Sequence, residues 1–113
     1  MASTGLNGPY SLTALGVDAA VDKISAGAYA LGYTDNEGVF HVQYVGRSDD
    51  DVSARLKSHV PEPYKKFKFG YYQSAMAAYS KECHLYHDFN PPDNKVHPAA
   101  PAESNAICPI CGE

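Results

Sequence analysis

The sequence predicts an α/β (α+β) fold: a small three-stranded antiparallel sheet flanked by helices, with a C-terminal tail stapled by zinc. Three observations predict it. GAYALGYT at 27–34 and VFHVQYVG at 39–46 are rich in β-branched and aromatic residues and flank the turn sequence DNEG. Segments of helical period lie on either side of a further alternating run, KFKFGYY at 66–72. Two cysteines near the end form CPIC at 108–111, a spacing that suits a metal.

Along the chain, residues 1–25 are expected to be an N-terminal arm or a short helix, the helix falling on VDAAVDKI at 17–24. The hairpin follows. Alternation puts Tyr29, Leu31 and Tyr33 on one face, and Phe40, Val42 and Tyr44 on one face of the partner strand. Ser48 or Asp49 can cap the next helix, and the acidic run 49–51 suits its positive N-terminal end. Val52, Leu56 and Val60 recur at helical spacing and mark its buried stripe, and Pro61 ends it.

A third strand is predicted over 66–72 and a second helix over about 74–88. In that helix Ala77, Lys81, His84 and Asp88 form the wet stripe. Met76, Tyr79, Cys83 and Tyr86 form one half-buried stripe, and Ala78, Glu82, Leu85 and Phe89 another. Pro91 and Pro92 stop it. Residues 95–113 are expected to be a metal-binding tail packed on the same domain, because DNKVHPAAPAESNA has almost no large apolar residues.

With 113 residues the chain suits one domain, and 44% hydrophobic residues are enough for a packed core. No apolar run approaches the ~20 residues of a membrane helix, and the first residues lack the basic start and apolar stretch of a secretory signal. A cytoplasmic protein without membrane contact is expected. The net charge of −4 weighs against nucleic-acid binding. PYKKFKF at 63–69, however, gathers Lys65, Lys66 and Lys68 in one place.

Glu82 is the most informative residue. A carboxylate on an otherwise apolar stripe meets a partner or shifts its pKa. It either forms a salt bridge to Arg55 or a lysine, or ligates a hard cation such as Mg²⁺, which prefers carboxylate oxygen. Arg55 and His59 lie four residues apart and share a helix face, which on its own reads as a solvated face. Tyr29 and Tyr44 read by themselves as core aromatics with hydroxyls at the rim.

Taken in order, GAY at 27–29, YVG at 44–46, Arg55, His59 and Glu82 resemble the motif set of the GIY-YIG nuclease family. ECHLYHDFNPPDN at 82–94 is similar to the family segment in which the catalytic Glu precedes an aliphatic pair, a proline and an asparagine: here Glu82, Leu85 with Tyr86, Pro91 and Asn94. The resemblance covers roughly residues 26–94. Ala28 and Val45 depart from the usual isoleucines, and the hairpin is somewhat long.

The resemblance implies a metal-dependent endonuclease acting on DNA, or on RNA, with structure-selective or weakly sequence-specific cleavage or recruitment by a partner protein. Glu82 would hold one Mg²⁺ or Mn²⁺. Arg55 would neutralise charge on the phosphoryl group. Tyr44 would take the proton of the attacking water, its pKa lowered from ~10 by Arg47 and Arg55. Tyr29 and His59 would orient water or phosphate, and Asn94 would pin the helix end or contact backbone. Arg47, Lys65, Lys66 and Lys68 would grip phosphates. The rival reading is a catalytically inactive module, stabilised by zinc, that binds nucleic acid or protein.

The tail carries a separate signal. Cys83 and His87, one helical turn apart, join Cys108 and Cys111 in an expected structural Zn²⁺ site, with His97 the rival ligand and His84 disfavoured because it faces solvent. Four protein ligands leave no open position for water, which argues against a zinc hydrolase.

Overall fold

The hairpin forms as the turn chemistry demands. In the computed structural model, which describes residues 4–101 and 107–112, β2 (Gly27–Thr34) pairs antiparallel with β3 (Phe40–Ser48). Asp35 organises the turn: its Oδ1 accepts from the backbone N–H of Glu37 at 2.8 Å and Val39 at 3.0 Å. Gly38 adopts φ +81°, which a side chain resists.

The sheet has four strands, not the expected three. Its order is β1-β4-β2-β3, with β1 (Asn7–Ser11) and β4 (Lys66–Tyr71), and every pairing is antiparallel. β1 belongs to the stretch expected as an arm. It extends the outer edge of β4, where Pro9 is tolerated because one side of the strand has no neighbour.

A helix does form in this stretch, but earlier than expected. α1 (Ala14–Ala20) is capped by Thr13, whose hydroxyl accepts from Gly16 N–H at 2.9 Å. α2 (Val52–Ser58) is capped by Asp51 rather than Ser48 or Asp49. Ser48 instead accepts from Asp51 N–H at 2.9 Å, bracing the turn before the cap.

α3 (Ala75–Phe89) starts at the Ser74 cap and stops at Asn90, which takes the left-handed conformation at φ 45°. Ala78, Glu82 and Leu85 are buried along it as the stripe predicts, while Met76 at its first turn is exposed.

Helices cover both faces of the sheet. Tyr29, Leu31, Phe67 and Phe69 pack with Val17 of α1 and with Val52 and Leu56 of α2. Ala28, Ala30 and Val45 pack against Leu85 of α3. Each fully buried Leu, Val or Phe contributes roughly 1.5–3 kcal/mol.

A β-bulge alters the expected facing of β3. Leu31 pairs with Tyr44 but Gly32 with Val42, so Gln43 is the extra residue. Phe40 and Val42 therefore turn to the α3 side, whereas Tyr44 joins Tyr29 on the α2 side. Among the described residues no helix is long and apolar enough to cross a membrane.

Candidate functional site

At the free edge of β3, where that strand leaves the sheet, lies a cavity of about 460 Å³. Tyr29, Tyr44, Arg47, Arg55 and Glu82 line it, together with Ala99. Tyr29 reaches it because Gly46 stands opposite on β3. A Cβ at Gly46 would lie 2.5 Å from the Tyr29 hydroxyl oxygen, so the glycine makes room for the phenol.

α2 presents Arg55, an exposed residue, at the cavity wall. His59, the C-cap of that helix, stands one side chain behind. Its Nε2 is 2.8 Å from the Tyr29 hydroxyl, and its Nδ1 is 2.9 Å from Glu62 Oε1.

α3 supplies Glu82 from the other face of the sheet. The residue is 8% exposed and has a partner, which is neither Arg55 nor a lysine. Arg47 Nη1 donates to Glu82 Oε1 at 2.8 Å, and also to the Ala99 carbonyl at 2.5 Å. Arg47 Nε donates to Asp49 at 2.7 Å, and the guanidinium sits 5.1 Å from the Tyr79 ring centre. Arg47, expected as a phosphate grip, is thus held by the protein itself.

Burial sets the electrostatics. It pushes the Glu82 carboxyl above the usual carboxylate range, with Arg47 offsetting only part of the effect. Burial, then the neighbouring Tyr44, pushes the Tyr29 phenol far up, with Arg55 opposing. Tyr44 departs from expectation: it too is raised, first by burial and then by the negative charge of Glu82, which together outweigh Arg55.

Asn94 lies outside the cavity wall and acts on the edge strand. Its Oδ1 accepts from Val45 N–H at 2.8 Å and its Nδ2 donates to Val45 O at 3.0 Å, while Asp93 N–H donates to Gln43 O at 3.0 Å. The pair replaces the strand neighbour that β3 lacks. Lys65, Lys66 and Lys68 are not at the cavity: β2 separates β4 from β3, and Lys68 lies over the Phe40 ring at 5.2 Å.

A second cluster forms beyond α3. The ligand atoms of His87, His97, Cys108 and Cys111 lie within 4.8 Å of one another and could hold a metal ion. His87 Nε2 is buried with no hydrogen-bond partner, which an ion would satisfy. His97 Nδ1 is 2.8 Å from the Pro98 carbonyl, which can only accept, so Nδ1 carries a proton; its Nε2 lies 3.4 Å from Cys111 Sγ.

Burial pushes the Cys108 thiol up. The backbone N–H groups of Cys111 and Ile110, with His97 and Cys83, bring it down to about 5, which favours the thiolate that metals bind.

Both histidines join this group, and Cys83 does not. Cys83 is fully buried against Tyr79 and Cys108, and burial pushes its thiol up to about 12. It therefore stays protonated and packs against Cys108 from behind. His84 is exposed, as its stripe predicts.

Asp49, Asp50, Glu62 and Ala99 were not legible as site residues. The first two sit in an acidic run that reads as a helix start, Glu62 lies in a turn between two prolines, and Ala99 acts through its backbone. No protein-family model, curated protein or solved structure matches the chain.

Proposed function

We propose that the cavity hydrolyses phosphodiester bonds of nucleic acid, DNA in the first place, with one Mg²⁺ or Mn²⁺ held by Glu82. One observation supports this above all: Tyr29, Tyr44, Arg55 and Glu82, spread from residue 29 to residue 82, line the same cavity. They are four of the residues on which the resemblance to GIY-YIG nucleases rests, and His59 stands hydrogen-bonded behind them.

The donor set fits a hard cation. Glu82 faces the cavity with Asp49 and Asp50 nearby, and magnesium-like ions keep several waters and need only one or two carboxylates. When bound, such an ion polarises the scissile phosphate and stabilises the leaving oxygen.

The chain does the rest. Arg55, exposed beside the cavity, neutralises the phosphoryl oxygens. Tyr44, once its phenol proton has left to solvent, accepts the proton of the attacking water as a tyrosinate; Arg55 favours that form, and offsetting the charge of Glu82 would favour it further. Tyr29 orients that water. The 97–101 segment, through Ala99, narrows the approach, so a strand end or branch fits better than the middle of a duplex. A partner protein would supply whatever selectivity the cavity lacks.

In the second cluster we assign Zn²⁺ in a structural role. Two thiolates and two imidazoles would hold it as four protein ligands, leaving no position for water. Held there, Zn²⁺ would fasten a tail poor in large apolar residues to His87 of α3, the helix that carries Glu82.

The Arg47–Glu82 ion pair favours a second reading, a catalytically inactive module that binds nucleic acid or protein, in which the guanidinium takes the place of the cation. Incubation with branched and linear DNA and Mn²⁺ separates the two. Nicking that disappears in Glu82→Ala and Tyr44→Phe supports hydrolysis; intact DNA under every divalent metal supports the binding module.

A further inference from the structure

The Tyr29 hydroxyl meets His59 on the side away from the cavity, and His59 meets Glu62. The geometry of Glu62 is prearranged. Its backbone N–H donates to the His59 carbonyl at 2.9 Å, closing a turn that returns its side chain to the imidazole. Pro61 and Pro63 restrict the backbone on either side. His59 is largely buried, with 13% of its side chain exposed, while the Glu62 side chain is 46% exposed.

An ionised carboxylate only accepts hydrogen bonds, so the contact between Glu62 Oε1 and Nδ1 requires the proton on Nδ1. Neutral His59 then has a lone pair on Nε2, and the Tyr29 hydroxyl must donate to it. Arg55, a donor only, lines the same cavity as Tyr29. The contact with His59 gives Tyr29 one polarity: its proton points to His59, and its lone pairs are left for the cavity.

We infer that Glu62 is a positioning residue that fixes the His59 tautomer and thereby makes Tyr29 a hydrogen-bond acceptor toward whatever binds in the cavity. Under the hydrolysis reading, on which the catalytic part rests, that acceptor orients the attacking water. A phenol with the opposite polarity would instead donate to the water oxygen and occupy the lone pair needed for attack. Glu62 thus acts through two side chains without touching substrate.

The test reads the tautomer directly, by ¹⁵N NMR of the His59 ring in wild type, Glu62→Gln and Glu62→Ala. Wild type and Glu62→Gln, whose amide oxygen still accepts, are expected to show a protonated Nδ1 and a bare Nε2. Glu62→Ala is expected to shift His59 toward the Nε2-protonated form. An Nε2 proton in wild type, or no change in Glu62→Ala, overturns the inference.

Cleavage by the same proteins tests the consequence. Glu62→Ala should lose at least about tenfold in kcat at unchanged KM, and Glu62→Gln should recover most of it. Wild-type-like kcat in Glu62→Ala overturns the catalytic part. If wild type cleaves nothing, the hydrolysis reading fails, and the NMR result still decides the tautomer.

Discussion

Arg47 and Glu82 meet at 2.8 Å from opposite elements, the end of β3 and the middle of α3, with only 12% and 10% of their side chains exposed. The contact joins sheet to helix at the cavity wall. Removing one partner strands a charge in a poorly hydrated place, so Arg47→Ala should cost roughly 3 kcal/mol at neutral pH. Chemical denaturation checks this, and a loss below about 0.5 kcal/mol would place the pair with ordinary surface contacts.

The same pair has a pH signature. Burial holds the folded-state pKa of Glu82 above its unfolded value, with Arg47 opposing in part. Folding therefore favours the protonated form. That contribution is complete below the unfolded pKa and is lost as pH rises through the folded one. Glu82→Gln, neutral throughout, should gain stability relative to wild type as pH rises across that window. The reverse trend would mean that Arg47 outweighs burial.

Tyr44 feels Glu82 across the cavity, which raises its pKa. Glu82→Gln should therefore lower the pKa of Tyr44, as a divalent cation on Glu82 would. A tyrosinate titration resolved at Tyr44 measures it, and an unchanged pKa would leave Tyr44 outside the influence of any cation bound there.

The Cys/His cluster predicts about one metal per chain, the stoichiometry of a single closed site. His97→Ala and Cys108→Ser should abolish tight binding. Cys83→Ala should keep the stoichiometry and weaken affinity by roughly 10–100-fold, as loss of a side chain that supports a ligand does. Elemental analysis and competitive chelation check these outcomes. Loss of metal in Cys83→Ala with retention in His97→Ala would restore Cys83 as the ligand.

Asn94 gives an independent test of the edge. Asn94→Ala removes both contacts to Val45 and should cost about 1–2 kcal/mol. Hydrogen exchange at the Val45 amide should accelerate, and protection equal to wild type would show that the edge is held by other means.

Much of this was legible in the sequence where local chemistry decides structure. The turn at Asp35–Gly38 and the run from the Ser74 cap to Pro91 are specified by neighbours within a few residues. β1 was not, because all five of its residues are exposed and no burial pattern marks them. The reversed facing of Phe40 and Val42 follows from one unpaired residue, Gln43, which alternation alone does not mark.

The candidate site divides the same way. Tyr29, Tyr44, Arg55 and Glu82 were legible as an ordered motif, whereas the partner of Glu82 depends on how α3 crosses the sheet. His97 was legible only as the rival of His87, because it sits in a Pro/Ala-rich stretch without period; the folded path brings both to the cluster.

On the hydrolysis reading, Glu82 offers a divalent cation a seat beside Tyr44 and Arg55. Anomalous diffraction from a crystal soaked in Mn²⁺ tests it most directly. A manganese peak is expected within coordination distance of the Glu82 carboxylate, with Arg47 withdrawn from Oε1. An empty cavity with Arg47 still donating to Glu82 would contradict it.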